Sequence, residues 1–299
     1  MPIASVNGTA DGTIANVNSK SFSTQIDKIN SIEVGSSFST NFSLELNGSS
    51  QYVNLGNQTS SSLNPSQSSI NSSGLTLTAW VYIDTLGTGG GDFIYDLGNC
   101  CTNNYYGLKM VVNANGALIF HVFGLNQGFA GAGSNNRNTC RTANSAISTG
   151  QWYHLAIVIP AGSMGSTMDR DEWRIYKNGS VINPSTYVKS GNQNTTLAYN
   201  GNSSLGVWRR ASNASYFDGE MNNYAVFSTA LNATNIAAIY NSGSPIDLGT
   251  NSGNYNQSAN LTAWWRFNEG TGTSYTDSSG NGFTGSGVGS PSFNTNVPT

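Results

Sequence analysis

Residues 75–83 read Leu-Thr-Leu-Thr-Ala-Trp-Val-Tyr-Ile. Strict alternation places Leu75, Leu77, Ala79, Val81 and Ile83 on one face of a strand and Trp80 and Tyr82 on the other. A helix would scatter these five apolar residues around its axis, whereas a strand gathers them. Phe42, Leu44 and Leu46 alternate likewise, and the runs 107–112, 117–123, 152–159 and 172–176 read as further strands. Lys177-Asn178-Gly179-Ser180 puts Asn-Gly between two apolar runs, the strongest short signal for a hairpin. Many short strands with glycine-rich turns predict an all-β, two-sheet antiparallel sandwich. One short helix is predicted near 232–241, capped by Asn232 and ended by Gly243. Its Leu231, Ile236, Ile239 and Tyr240 would pack on the sandwich, and Asn235 stands where a capping box has Glu.

Composition narrows the function classes. Charged residues make up 9% of the 299, against roughly 25% in an average globular protein. Neutral hydroxyls and amides fill the difference, so the surface as a whole should respond weakly to salt. A net charge of -3 offers no basic footprint, which excludes nucleic acid as an expected partner. The first residues show no basic n-region and no apolar h-region, so neither a signal peptide nor membrane insertion is expected. Residues 1–41 are rich in Ser, Thr and Asn, with Ile26, Ile29, Ile32 and Val34 as the large hydrophobes. They read as an extended N-terminal arm that cannot build its own core. Cys100, Cys101 and Cys140 are an odd set. Cys140 could bridge to either of the others, or all three could be reduced. A zinc site would need a fourth ligand, and neither His121 nor His154 has ligand spacing.

Five segments in order resemble a laminin-G-like domain of the concanavalin A-like lectin and glucanase type: 43–56, 75–83, 150–159, 173–182 and 216–243. The resemblance implies a jelly roll of two curved antiparallel sheets over 42–299, usually with a binding role. Ala-Trp-Trp-Arg-Phe, an acidic Gly-x-Gly turn and Asp-Ser-Ser-Gly-Asn-Gly normally open such a domain, yet here they fall within 263–282. The expectation is a circular permutation in which 261–289 supplies the first strand and turn, with Leu261, Ala263, Trp265 and Phe267 inward. A truncated further repeat and strand donation to a neighbouring subunit are the alternatives.

Glucanases of this fold carry paired carboxylates on one strand as Glu-x-Asp-x-x-Glu, and that pattern is absent. Asp169-Arg170-Asp171-Glu172 reads as a solvated loop, and His121 and His154 as structural residues within apolar strands. The chain is therefore expected not to be an enzyme. The resemblance implies Ca2+ as a possible ion, with Asp218, Asn222 and Asp277 as ligands, although Asn222 replaces the family's Asp and Asp277 could simply make an Asx turn. Sugar binding wants an exposed aromatic platform beside amide and guanidinium donors. Trp208, Arg209, Arg210 and Tyr216 are the first candidates, and Tyr105 and Tyr106 the second. Trp208 could instead pack on the sandwich edge, and Trp80 and Trp152 are assigned to the core.

Jelly rolls with polar arms and such Asp-Ser-Ser-Gly-Asn-Gly segments resemble bacteriophage virion proteins, especially marine ones. That resemblance implies a virion surface protein, made in the host cytoplasm, in a capsid decoration or a tail fibre. Its partners would be other virion proteins through the arm, a glycan, and further copies in a homo-oligomer or large assembly. A free-standing, extracellular or cell-surface adhesion lectin is the alternative, with a polysaccharide hydrolase or lyase third.

Overall fold

The computed structural model describes residues 38–299 apart from 60, 89, 99–104, 127–131 and 210–213, together with strand residues 16–17, 20–21, 28–29 and 32–33. The chain divides into two compact units, Met1–Ser39 and Thr40–Thr299. In the first, Asn16–Val17 pairs with Lys20–Ser21, and Lys28–Ile29 with Ile32–Glu33, both antiparallel.

The second unit is a sandwich of two antiparallel sheets. Among the described residues one sheet has ten strands, in the order Val188–Gly191, Ala132–Arg141, Leu118–Asn126, Gly107–Val112, Asp92–Leu97, Asn202–Leu205, Tyr52–Asn57, Gly285–Val288 and Ser274–Tyr275, with Thr195–Leu197 also pairing to Leu118–Asn126. The other has eight: Ser180–Val181, Arg174–Lys177, Trp152–Ile159, Leu75–Ile83, Asp218–Phe227, Ser43–Asn47 and Ser292–Asn294, with Leu261–Trp265 also pairing to Asp218–Phe227. The alternation of 75–83 carries through as read. Leu75, Leu77, Ala79, Val81 and Ile83 enter the core, where they meet Leu108, Met110, Val112, Leu118, Phe120 and Val122 of the opposite sheet. Each large side chain removed from water here contributes about 1.5–3 kcal/mol.

Trp80 is buried on the other face, because the helix Ala233–Tyr240 covers it. Tyr240 stacks on Trp80 at 5.7 Å, and Trp80 meets His154 at 5.2 Å. The Asn232 side chain caps this helix, and Asn235 closes back on that cap through its own amide. The helix ends at Asn241 in the left-handed region, φ 44°, rather than at Gly243. Asn tolerates that conformation almost as well as Gly. A second helix, Gln67–Ser73, has no counterpart in the sequence pattern. It has one buried apolar residue, Ile70, and so shows no periodicity in the sequence. Trp152 is only half-buried, correcting its assignment to the core. It lies beside Tyr82 on the outer face and its indole N–H donates to Asn296 Oδ1 at 3.1 Å.

Asn178 and Gly179 turn the hairpin between Arg174–Lys177 and Ser180–Val181 with φ of 49° and 74°. Both values are positive, as a two-residue type I′ turn requires. Near the C-terminus, Ala263, Trp265 and Phe267 join the main core. Asp277 binds this segment together: Oδ1 accepts the backbone N–H of Trp264 at 2.9 Å and of Ser279 at 3.0 Å, and Oδ2 that of Phe283 at 3.0 Å. Cys140 is a free, buried thiol and so makes no bridge; Cys100 and Cys101 lie outside the described residues.

Candidate functional site

The face of the ten-stranded sheet turned away from the core carries the chemistry. Alternation along its strands sends one set of residues inward and leaves polar ones outside. In register, these form a ladder across eight strands: Ser286, Asn54, Ser204, Asp96, Lys109, His121, Thr139 and Ser190. Asp96 and Lys109, at its centre, make an ion pair in which both side chains are 0% exposed. Burial drives Asp96 up and Lys109 down, and the opposite charge of each partner opposes that drift. Burial first, then Arg137 and Lys109, push the His121 imidazole well below its ordinary value, so it stays neutral.

An aromatic layer covers this centre. The pair Val207–Trp208 and Ala214–Tyr216 forms a small hairpin. It lays Trp208 on Phe93, ring centroids 5.2 Å apart and 11° from parallel. Tyr105 bridges Trp208 at 5.4 Å and Phe123 at 5.4 Å. Trp208, Tyr105 and Tyr216 are each half-buried. The two readings of Trp208 therefore merge: it packs on the sheet and is still only half-buried.

Arg209 departs from its expected role as an exposed donor. It is 8% exposed. Its backbone N–H donates to Asp96 Oδ2 at 2.7 Å, its guanidinium lies over the Tyr52 ring at 5.2 Å, and Nη1 donates to Asn54 Oδ1 at 3.3 Å. Tyr52 in turn meets Tyr216 at 6.4 Å. The charge of Arg209 thus braces the platform from below. Tyr106 is half-exposed next to the stack, and Arg210 lies outside the described residues.

Two residues of this surface are not among the site candidates read from the sequence. Phe123 is directly opposite Arg137 on the neighbouring strand. Arg137 is exposed and opens onto a polar cleft of about 630 Å³ lined by the loop 190–194 and Thr167. A strand reading Ala-Gly-Ser-Asn-Asn-Arg-Asn-Thr-Cys-Arg shows no apolar alternation, so only its pairing with 118–126 reveals it.

The three expected calcium ligands do not converge. Asp218 and Asn222 share one regular strand four residues apart, about 13 Å at the usual rise. Asn222 donates its amide to Phe42 O at 2.7 Å and accepts from Asn223. Both oxygens of Asp277 are taken by backbone N–H groups. Calcium needs six to eight oxygens at about 2.3–2.6 Å, so this set does not fit the ion. Among the described residues no group of three or more His, Cys, Asp or Glu could hold a metal.

Paired carboxylates do occur on the opposite sheet, where Glu45 faces Glu220 across adjacent strands. Glu220 is buried and pushed up to about 7 by burial, with Asp84 and Glu45 adding to the shift. Asn294 and Asn296 of the C-terminal segment donate to its Oε1 and cover it. Within the 169–172 loop, Asp171 is exposed and pairs with Lys189. No helix among the described residues is long and apolar enough to cross a membrane.

Two antiparallel sheets around one core, with an aromatic and polar outer face, define a lectin-like β-sandwich. The chain belongs to the concanavalin A-like lectin/glucanases superfamily, whose laminin G-type family model matches residues 47–237. Its fold is similar to that of a Bacteroides ovatus protein proposed to bind carbohydrate, at 14% identity and a TM-score of 0.53 over 87% of this chain. The match spans 62% of the Bacteroides protein. A heptameric SAP-like pentraxin from Limulus polyphemus matches at 14% identity and a TM-score of 0.41, over 67% of this chain and 82% of the pentraxin. The CBM40 of a Ruminococcus gnavus IT-sialidase, bound to α2,3 sialyllactose, matches at 13% identity and a TM-score of 0.43, over 66% of this chain and 96% of the module. No curated protein matches the chain.

Proposed function

We propose that this chain is a non-enzymatic, lectin-like protein that binds glycans on the outer face of its ten-stranded sheet. The observation that carries this reading is the half-buried pair of Trp208 and Tyr105, ring centroids 5.4 Å apart, on the same outer face as the buried Asp96–Lys109 pair. Pyranose rings present C–H faces that lie well on such rings, and their hydroxyls suit the amides and hydroxyls of the polar ladder. The family includes lectins, and the Bacteroides protein of like fold is itself proposed to bind carbohydrate. A glycan array is the test. Trp208→Ala and Tyr105→Ala should each remove binding while the melting transition stays cooperative. Full binding by both variants would refute the platform.

On the finer reading the protein is carried on a virion surface, as a capsid decoration or tail-fibre component, with its N-terminal unit as anchor. Its support is the resemblance to phage virion proteins and the division of the chain at Ser39. In a particle, removing residues 1–39 should abolish incorporation and leave the sandwich folded. Full incorporation of the truncated chain would refute the anchor. Within the sandwich, Leu261–Trp265 stands in for the family's first strand, as a permutation would have it. Its pairing with Asp218–Phe227 within one chain supports this arrangement over donation to a neighbour.

A further inference from the structure

We propose that the glycan is acidic, and that Arg137 and its cleft bind the carboxylate or sulfate of one sugar unit beside the aromatic platform. The inference rests on the reading of Trp208 and Tyr105 as a sugar platform and adds the chemical class of its ligand.

Three observations converge. First, the platform and the cleft form one continuous surface. Trp208 meets Tyr105, Tyr105 stacks on Phe123, and Phe123 is the cross-strand partner of Arg137. Directly opposed residues lie on the same face of a sheet, about 5 Å apart at Cβ. Second, the Arg137 guanidinium is exposed and has no hydrogen-bond or ion-pair partner among the described residues. The other basic groups nearby are engaged. Lys189 pairs with Asp171, Arg170 donates to the backbone of Ser190, and Lys109 is consumed by Asp96. On a chain with 9% charged residues, one uncompensated guanidinium in a concave site dominates the local field.

Third, the cleft is built. The Asn192 N–H donates to Arg137 O at 2.8 Å, the Asn194 N–H to Asn192 Oδ1 at 2.9 Å, and Thr167 Oγ1 to Asn194 Oδ1 at 3.3 Å. Gly191, at φ 92°, lets the loop approach, since a Cβ there would stand 2.1 Å from Arg137 O. The volume of about 630 Å³ suits a small number of sugar units. Guanidinium binds carboxylate and sulfate through two parallel N–H donors, and Gln193 and Asn194 are among the residues that line the cleft.

The test is an array of matched neutral, uronate-bearing, sialylated and sulfated glycans, probed with the wild type, Arg137→Gln, Arg137→Lys and Trp208→Ala. The bound glycans should be acidic, and which acid is bound separates carboxylate from sulfate recognition. Arg137→Gln should weaken binding at least about tenfold and flatten its dependence on salt from about 50 to about 500 mM. Arg137→Lys should recover part of the loss, because it keeps the charge without the fork. Neutral glycans bound by the wild type and equally by Arg137→Gln would overturn this inference and leave the platform standing. Acidic glycans bound unchanged by Arg137→Gln would overturn the assignment of the cleft. No binding by the wild type would overturn both readings.

Discussion

Asp277 reaches back across 13 residues to accept the backbone N–H of Trp264 at 2.9 Å. The same carboxylate accepts from Ser279 and Phe283, so one side chain fixes the strand Leu261–Trp265 to the turn that follows. Hydrogen bonds to a charged group contribute about 1.5–3 kcal/mol each, and burial raises the cost of leaving donors unmet. Asp277→Ala should therefore destabilise the sandwich by about 2–4 kcal/mol, read as a lower denaturant midpoint. Calcium or a chelator should leave the wild-type midpoint where it is, because both carboxylate oxygens are occupied.

Glu220 gives stability a slope with pH. Burial raises its pKa from 4.5 to about 7, so the folded chain holds a proton that the unfolded chain releases. That contribution is fully present below about 4.5 and is lost as pH rises through about 7. Glu220→Gln should remove the slope and stabilise the chain at neutral pH, by on the order of 1–3 kcal/mol. Midpoints measured for both proteins from acid to neutral pH check this, and parallel curves would count against it.

His154 acts in the opposite direction. It is fully buried beside Trp80 and Tyr240, and neither ring nitrogen has a partner among the described residues. Burial lowers its pKa from 6.5 to about 3. The unfolded chain gains a proton that the folded chain refuses, so stability is lost as pH falls from about 6.5 toward about 3. His154→Phe keeps the stacking and should stabilise the protein, more at pH 5 than at pH 8. A gain that is equal at both would show that the ring is not neutral for the reason given.

The Asp96–Lys109 pair makes the platform sensitive to single changes. Lys109→Met leaves a buried carboxylate uncompensated and should cost about 3–5 kcal/mol. Adding Asp96→Leu should recover only part, because Asp96 also accepts the Arg209 N–H that holds the Trp208 hairpin. Thermal denaturation of the two variants measures both steps.

The strands were legible wherever one face is apolar, as at 75–83 and 152–159, because burial of that face leaves one register open. The helix Ala233–Tyr240 was legible from its cap and its spaced isoleucines, whereas Gln67–Ser73 buries a single Ile and left no pattern. At the site, Trp208, Tyr105 and Tyr216 were visible as aromatic side chains in polar loops. Phe123 and Arg137 were not, since they lie 14 residues apart and only strand pairing makes them neighbours. Arg209 resembles an exposed donor in sequence for a related reason. Its inward turn depends on Asp96, 113 residues away in sequence. The calcium set failed because residues that align with a family motif need not converge when each already has a hydrogen-bonding role.

The most direct test of the account is a crystal structure with an acidic oligosaccharide selected on the array. A pyranose ring should lie on Trp208 or Tyr105, with its acid group paired to Arg137. A sugar seated on the opposite sheet, beside Tyr82 and Trp152, would contradict it.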